Sequence, residues 1–326
     1  MTTSEDRRVL ITGAAGQLGS ELVPALRRRY GADAVLATDI RTLSGAAVDG
    51  PNRRLDGTDL ERFGRIAREH RATVIYHLVA VLSATGEKDP QRAWNINIGT
   101  LTNALEVARA TGAALFVPSS IAAFGPSTPP DPTPQDTLQR PTSIYGVSKV
   151  AGELLCDYYV QRYGLDVRGV RYPGLISWAA DPGGGTTDYA VEIFHQALTH
   201  NRYECFLRAG TQLDMMYMPD AVRAAIELME TPSERLTHRN AFNITAMQLT
   251  PEVLAAEIRR HRPDFELSYR VNERKQTIAD SWPRRLDDSA ARDEWGWQPR
   301  WDLEAMTADM LEHLAARLSA PAANTR

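Results

Sequence analysis

The stretch Val9-Leu10-Ile11-Thr12-Gly13-Ala14-Ala15-Gly16-Gln17-Leu18-Gly19 decides the fold. Its first four residues read as a short, fully buried parallel strand. Glycines follow at 13, 16 and 19, and the helical spacing of Leu18, Leu22, Ala25 and Leu26 then takes over across 17–30. Pro24 lies inside that run, where a kink is expected. Glycines between a strand and a helix allow a tight turn, close approach of backbone to a pyrophosphate, and close helix–strand packing. The free N–H groups and dipole of the helix end favour the phosphates. The spacing is GxxGxxG rather than GxGxxG, so an ordinary structural turn stays open until the context is read.

The context is an alternation. Strands are expected at 34–40, 53–56, 73–78, 114–120 and 167–176, with helices at 59–70, 93–111 and 143–163. Strand and helix alternating from 9 to 176 demand an α/β fold, a Rossmann-type doubly wound parallel sheet. Asp39 ends the second strand, 20 residues after Gly19. A carboxylate there accepts from the adenosine ribose hydroxyls and repels a 2′-phosphate, which selects NAD over NADP. Arg41 pulls the other way, since an arginine welcomes that phosphate. After 176 the alternation breaks. A glycine-rich loop at 181–185 leads to helices at 188–200, 220–230 and 251–261, with short extended runs near Phe206, Phe242 and Tyr269. The expected division is an NAD-binding domain at 1–176 and a smaller C-terminal α/β substrate lobe at 177–326, with some segments returning to the first domain.

Composition excludes several classes. A chain of 326 residues with net charge −4 has no general attraction for nucleic acid or an anionic membrane. It contains no apolar run of the length a membrane span needs. Residues 1–8 are polar and lead straight into the first strand, so no signal peptide is expected. Cys156 and Cys205 lie 49 residues apart without CxxC spacing. Neither a zinc site nor a disulfide is expected, only two reduced thiols in a cytoplasmic protein. No ligand cluster predicts a metal. Residues 126–141, rich in Pro, Thr and Asp, read as an ordered loop. Arg202, Arg208 and Arg223 read as solvated face residues.

Tyr145 and Lys149 are four apart at the start of the long helix, so they project from one face. A phenol titrates near ~10, and a neighbouring ammonium favours its charged form, which makes such a tyrosine a general base. The fifth strand ends at Ser119-Ser120, 25 residues before Tyr145. Ligands bind at that edge of a parallel sheet, where a serine hydroxyl can hold a substrate oxygen.

Glycine turn, strand-end serine and Tyr–Lys helix together resemble the extended short-chain dehydrogenases, the family that includes UDP-galactose 4-epimerase. Ser120-Ile121-Ala122-Ala123-Phe124-Gly125 is similar to that family's Ser/Thr-x-x-x-Tyr-Gly element, with Phe124 in place of Tyr. The match makes Ser120 the catalytic serine beside Tyr145 and Lys149, with Ser119 its neighbour on the cofactor. His77-Leu78-Val79-Ala80 resembles the stretch lining the cofactor, Asn97 the structural asparagine of the next helix, and Arg171-Tyr172-Pro173-Gly174 the stretch beside the nicotinamide. The resemblance implies cofactor contacts from Gly13, Gly16, Gln17, Leu18 and Gly19, from Asp39, Arg41, Leu55 and Asp56, and from Leu78, Ala80 and Asn97. Ser119, Tyr145, Lys149, Tyr172 and Leu175 complete the set.

Within that family, several runs are similar to the L-threonine 3-dehydrogenases. They are Leu82-Ser83-Ala84-Thr85, Pro118-Ser119-Ser120-Ile121-Ala122, Arg171 to Trp178, Pro182 to Ala190, Met215-Met216-Tyr217-Met218 and Ala279-Asp280-Ser281-Trp282-Pro283. This implies hydride transfer from C3 of L-threonine to NAD, giving 2-amino-3-oxobutanoate. Tyr145 would take the hydroxyl proton, Ser120 would steady the oxygen, and Lys149 would favour the phenolate and hold the nicotinamide ribose. Substrate contacts are expected from Ser83, Ser120, Tyr145, Gly184, Thr186, Thr187 and Trp282. The three glycines at 183–185 also suit a lid hinge. The resemblance further implies a homodimer joined by the helices around 93–111 and 143–163. Two alternatives stay open: a nucleotide-sugar epimerase or dehydratase of the same family, and a non-catalytic NAD-binding sensor.

Overall fold

The computed structural model describes residues 7–180 and 185–319. The first half holds strands β1 (Val9–Thr12), β2 (Val35–Asp39), β3 (Asn52–Arg54), β4 (Val74–His77), β5 (Ala114–Phe116), β6 (Ser119–Ser120), β7 (Val167–Arg168), β8 (Val170–Tyr172) and β9 (Gly174–Ile176). Helices α1 (Gln17–Tyr30), α2 (Leu60–His70), α3 (Ser83–Gly86), α4 (Pro90–Thr111) and α5 (Ile144–Tyr163) connect them. The second half holds β10 (Arg202–Cys205), β11 (Leu213–Tyr217), β12 (Phe242–Asn243), β13 (Met247–Leu249) and β14 (Glu266–Tyr269). Its helices are α6 (Tyr189–His200), α7 (Met218–Glu230), α8 (Pro251–His261), α9 (Glu273–Asp280), α10 (Ser289–Trp295) and α11 (Leu303–Ser319).

Six parallel strands form the central sheet in the order β3-β2-β1-β4-β5-β7. The strand sequence explains why both faces are covered. Val9 and Ile11 pack with Leu22, Val23 and Leu26 of α1 and with Ala221 and Ala225 of α7. Leu10, between them, packs on the opposite side with Phe63 of α2, Leu101 and Leu105 of α4, and Tyr159 of α5. A strand buried at every position needs both faces of its sheet covered, as in this open, doubly wound sheet. Smaller sheets continue from it: β6-β8-β12, β9-β11-β13 and β10-β14. A separate apolar core joins α6, α8 and α11 to β10, β11 and β13.

The structure refines several boundaries. The expected strand at 114–120 is two strands with Pro118 between them, and the expected strand at 167–176 is three, broken at Gly169 and Pro173. A proline has no N–H for the ladder. Gly169 lies so close beneath Val117 that a Cβ there would stand 2.2 Å from its carbonyl oxygen. α1 runs unbroken through Pro24. α4 starts at Pro90, capped by Asp89, whose carboxylate accepts from Arg92 N at 3.1 Å, so its first turn precedes the apolar periodicity that signalled the helix. Arg202 and Arg208 are exposed, but Arg223 is not a solvated face residue. Its side chain lies over Trp297, 4.7 Å from the ring centroid, and pairs with Asp220 and Glu227. The 126–141 loop is tied down, with Thr133 N donating to Arg285 O at 2.9 Å and Arg171 Nη1 to Gln135 O at 2.8 Å. Cys156 and Cys205 are buried free thiols.

Candidate active site

The glycine turn lies at the C-terminal edge of the sheet, and each glycine has a steric reason. Gly13 has φ +78°, and a Cβ on it would meet Leu78 C at 2.9 Å. The turn therefore rests directly on the chain leaving β4. A Cβ on Gly19 would stand 2.6 Å from Gly13 O, so α1 packs on the turn at glycine distance. Gly16 is the N-cap and supplies no side-chain cap, which leaves the first N–H groups of α1, at Gln17 and Leu18, open toward an anion.

Asp39 is buried at the end of β2. Its Oδ2 accepts from Ala15 N at 2.9 Å and its Oδ1 from Arg41 N at 2.8 Å. The Arg41 side chain folds back onto the same carboxylate, Nε to Oδ1 3.4 Å. Asp39 thus couples the glycine turn to β2, while Arg41 stays largely exposed with one contact to it. Leu55 N donates to Asp39 O at 2.9 Å, placing Leu55 and Asp56 on the same edge. Asp56 is held below the usual carboxylate range by the Thr58 N–H and hydroxyl. Open phosphate donors, a glycine cradle that Cβ atoms would fill, and a buried carboxylate at the second strand end fit a dinucleotide without a 2′-phosphate.

On the other side of β1, α5 presents Tyr145 and Lys149. Ser143 caps the helix, accepting from Gly146 N at 3.1 Å, and Glu87 accepts from Ile144 N at 2.8 Å. A Cβ on Gly146 would stand 2.2 Å from Ala122 O, so the start of α5 sits on the turn that follows Ser120. The Tyr145 ring packs against the cluster containing Ile121, Ala122, Tyr189, Met215 and Trp282. Lys149 Nζ lies 5.4 Å from the Tyr145 ring centroid and donates to Pro118 O at 2.7 Å. Ser120 is partly exposed, and its hydroxyl accepts from Ala122 N at 3.2 Å, leaving its own proton to donate elsewhere. Fixed phenol, ammonium and hydroxyl at one sheet edge are equipped to move a proton to or from a bound alcohol.

The remaining expected residues divide. Leu78 and Ala80 line the edge after β4, and Leu78 N donates to Thr12 O at 2.9 Å. Asn97 is buried and consumed internally: Oδ1 accepts from Val81 N at 2.7 Å, while Nδ2 donates to Val81 O at 3.2 Å and to Ser148 Oγ at 3.0 Å. The Ser119 hydroxyl turns inward to Glu153, which is paired with Arg171 in a buried two-point contact at 3.0 and 2.9 Å. The Tyr172 hydroxyl donates to Ala221 O at 2.7 Å, under α7. Leu175 on β9 pairs with Met216. Ser83 is buried at the start of α3, whose C-terminal neighbour Glu87 holds the start of α5. Thr186 is buried with no partner for its hydroxyl among the described residues, and a Cβ on Gly174 would lie 2.6 Å from the methyl of Thr187. Trp282 is buried in the cluster that receives Tyr145. Gly184 lies outside the described residues.

The sequence reading did not single out Glu87, Ser143, Glu153 or the ring of His77. Ser143 was findable as a serine before a helix start. Glu87 and Glu153 act across 57 and 18 residues, on Ile144 and Arg171, and nothing local marks them.

Residues 9–245 match the NAD dependent epimerase/dehydratase family. The chain belongs to that family. It is an NAD-dependent enzyme of the short-chain dehydrogenase type, and its cofactor is NAD. It is 51% identical over 313 residues to an uncharacterized epimerase/dehydratase of Staphylococcus saprophyticus, covering 95% of this chain and 98% of that one. Among solved structures, L-threonine dehydrogenase from Clostridium difficile superposes with TM-score 0.94 at 50% identity, covering 95% of this chain and 98% of that one. A monomeric L-threonine 3-dehydrogenase from a metagenome, in its apo form, gives 0.91 at 44% identity, covering 96% and 100%. Among the described residues no helix is long and apolar enough to cross a membrane, and no three His, Cys, Asp or Glu side chains are placed to hold a metal.

Proposed function

We propose that the chain oxidises L-threonine at C3 to 2-amino-3-oxobutanoate. When bound, NAD supplies the hydride acceptor. Tyr145 accepts the C3 hydroxyl proton, Ser120 donates a hydrogen bond to the same oxygen, and Lys149 stabilises the phenolate and holds the nicotinamide ribose. The glycine turn, Asp39 and the strand ends named above would hold the cofactor. The observation that carries the reading is the anchoring of Lys149 on Pro118 O beside Tyr145, two residues before Ser120, whose hydroxyl keeps its proton to donate. Thr186 supports the substrate class, because a buried hydroxyl without a partner suits a small polar ligand better than an empty apolar wall. Ser83, Thr187, Gly184 and Trp282 complete the substrate pocket in this proposal. L-Threonine-dependent NADH formation, abolished in Tyr145→Phe, tests it.

The same proposal extends to assembly, organisation and location. Residues 1–176 bind the cofactor and 177–326 mainly shape the substrate pocket, with α7 and β12 returning to the first part. Two copies join through α4 and α5, where Leu154 and Tyr158 are 63% and 52% exposed on one helix. The protein works without a metal, in the cytoplasm, with its two thiols reduced.

A further inference from the structure

β4 ends in a histidine that the proton-transfer scheme leaves unused. His77 stands in register with Thr12 of β1, and its Nδ1 lies 2.8 Å from Thr12 Oγ1. The ring is buried, and Nε2 has no hydrogen-bond partner among the described residues. A buried ring nitrogen without a hydrogen bond is rare in a native fold, and its usual complement is an ordered water. The required space is present. His77 lines a cavity of about 30 Å³ whose walls are largely apolar, from Val79, Leu101 and Val117, with polar side chains of Asn97, Ser148 and Lys149 also reaching it. That is room for roughly one or two waters.

Lys149 is the cation of this cavity. Its ammonium has three N–H donors, and among the described residues only Pro118 O accepts from one. We infer that His77 is a positioning residue for Lys149, its Nε2 accepting from a water that Lys149 in turn donates to. The inference rests on the proposed roles of Tyr145 and Lys149.

The chemistry is consistent with an acceptor rather than a second cation. Burial first, and the charge of Lys149 second, push the His77 imidazole down to about 3. It therefore stays neutral across any working pH. The inference takes the tautomer in which Nδ1–H donates to Thr12 Oγ1, which leaves the lone pair on Nε2. The other ionisable groups around the cavity come from α5. Glu153 is tied to Arg171 of β8, and the Cys156 thiol is pushed up by burial, so neither competes for the Lys149 protons at neutral pH. Tyr145, the remaining neighbour of Lys149 on α5, faces the substrate side. Placement of the ammonium governs how strongly it favours the Tyr145 phenolate.

Two measurements test this. The first is a high-resolution crystal structure of the wild-type NAD complex. A water within hydrogen-bond distance of both His77 Nε2 and Lys149 Nζ is expected. An empty cavity, or Nε2 bonded to a protein group, overturns the inference whatever the substrate proves to be. The second is the pH profile of kcat/KM for His77→Gln, His77→Asn and His77→Leu. A glutamine carries its terminal oxygen to the position of Nε2, whereas asparagine reaches only the position of Nδ1. His77→Asn and His77→Leu should move the acidic limb up by about half to one pH unit, with KM for the substrate little changed. His77→Gln should restore most of that shift. Equal profiles in all three folded variants, with only Tm lowered, would reduce His77 to a structural residue. If His77→Leu does not fold, the asparagine–glutamine contrast and the cavity water decide. Loss of threonine turnover as a premise would leave the water measurement standing.

Discussion

Lys149 donates to the main-chain carbonyl of Pro118 at 2.7 Å, and Pro118, with Val117, separates β5 from β6. The break that puts a proline between two strand fragments thus also frees a carbonyl from the ladder to hold the ammonium. Lys149→Met removes the cation and leaves that carbonyl unpaired. The expected result is a fall in kcat of about 10²–10⁴-fold and an acidic limb of the pH profile moved to higher pH. Steady-state kinetics from pH 6 to 10 checks it, and an unmoved limb would separate Lys149 from the proton transfer.

Asp39 and Arg41 make the cofactor preference adjustable. The carboxylate holds Ala15 N and the Arg41 guanidinium at once. Asp39→Ala releases the arginine and removes the repulsion of a 2′-phosphate. The ratio of kcat/KM for NADP to that for NAD should rise about 10- to 100-fold, with some loss of stability from the unpaired Ala15 N–H. Kinetics with both cofactors is the check, and an unchanged ratio would remove Asp39 from the ribose site.

How much of this was legible without coordinates depends on distance along the chain. Gly13, Gly16, Gly19 and Asp39 belong to one strand–helix–strand unit, and local spacing placed them. Tyr145 and Lys149 share a helical face by arithmetic. Ser119 and Ser120 were equally near the site in sequence. Only the buried Glu153–Arg171 pair, assembled from α5 and β8, shows that Ser119 turns inward. Tyr172 was read from its neighbourhood, while its hydroxyl is directed by α7, a helix 46 or more residues later in the chain. The strands around Pro118, Gly169 and Pro173 read as continuous because apolar pattern does not reveal where a sheet hands over to the next. The last helix, α11, is legible in the sequence, since its buried Met306, Met310, Leu311 and Leu314 follow helical spacing.

Asp214 gives a pH signature to stability. It is buried between β11, β13 and Leu286, and desolvation raises its carboxyl from 3.8 to about 7 despite bonds from Leu286 N, Thr245 and Gln248. Between those values the folded protein keeps a proton that the unfolded chain has lost. Its contribution is complete below the unfolded value and declines as pH rises through about 7. The Tm advantage of the native protein over Asp214→Asn should therefore shrink by roughly 2–6 °C between pH 4.5 and 8. Calorimetry at both pH values checks it, and a growing advantage would contradict the shift.

Leu154 tests the assembly. Leu154→Glu places a charge in the proposed α4–α5 interface without touching the sheet. Sedimentation should change from dimer to monomer with Tm lowered by only a few degrees. A wild-type protein that already sediments as a monomer would end the dimer proposal.

The most direct test of the account is NADH absorbance on mixing the purified protein with NAD and L-threonine, with Tyr145→Phe measured alongside. The account predicts steady NADH formation by the native protein and a loss of at least about 10²-fold in the variant, with NAD binding retained. No NADH from the native protein while it binds NAD, or equal turnover by Tyr145→Phe, would contradict it.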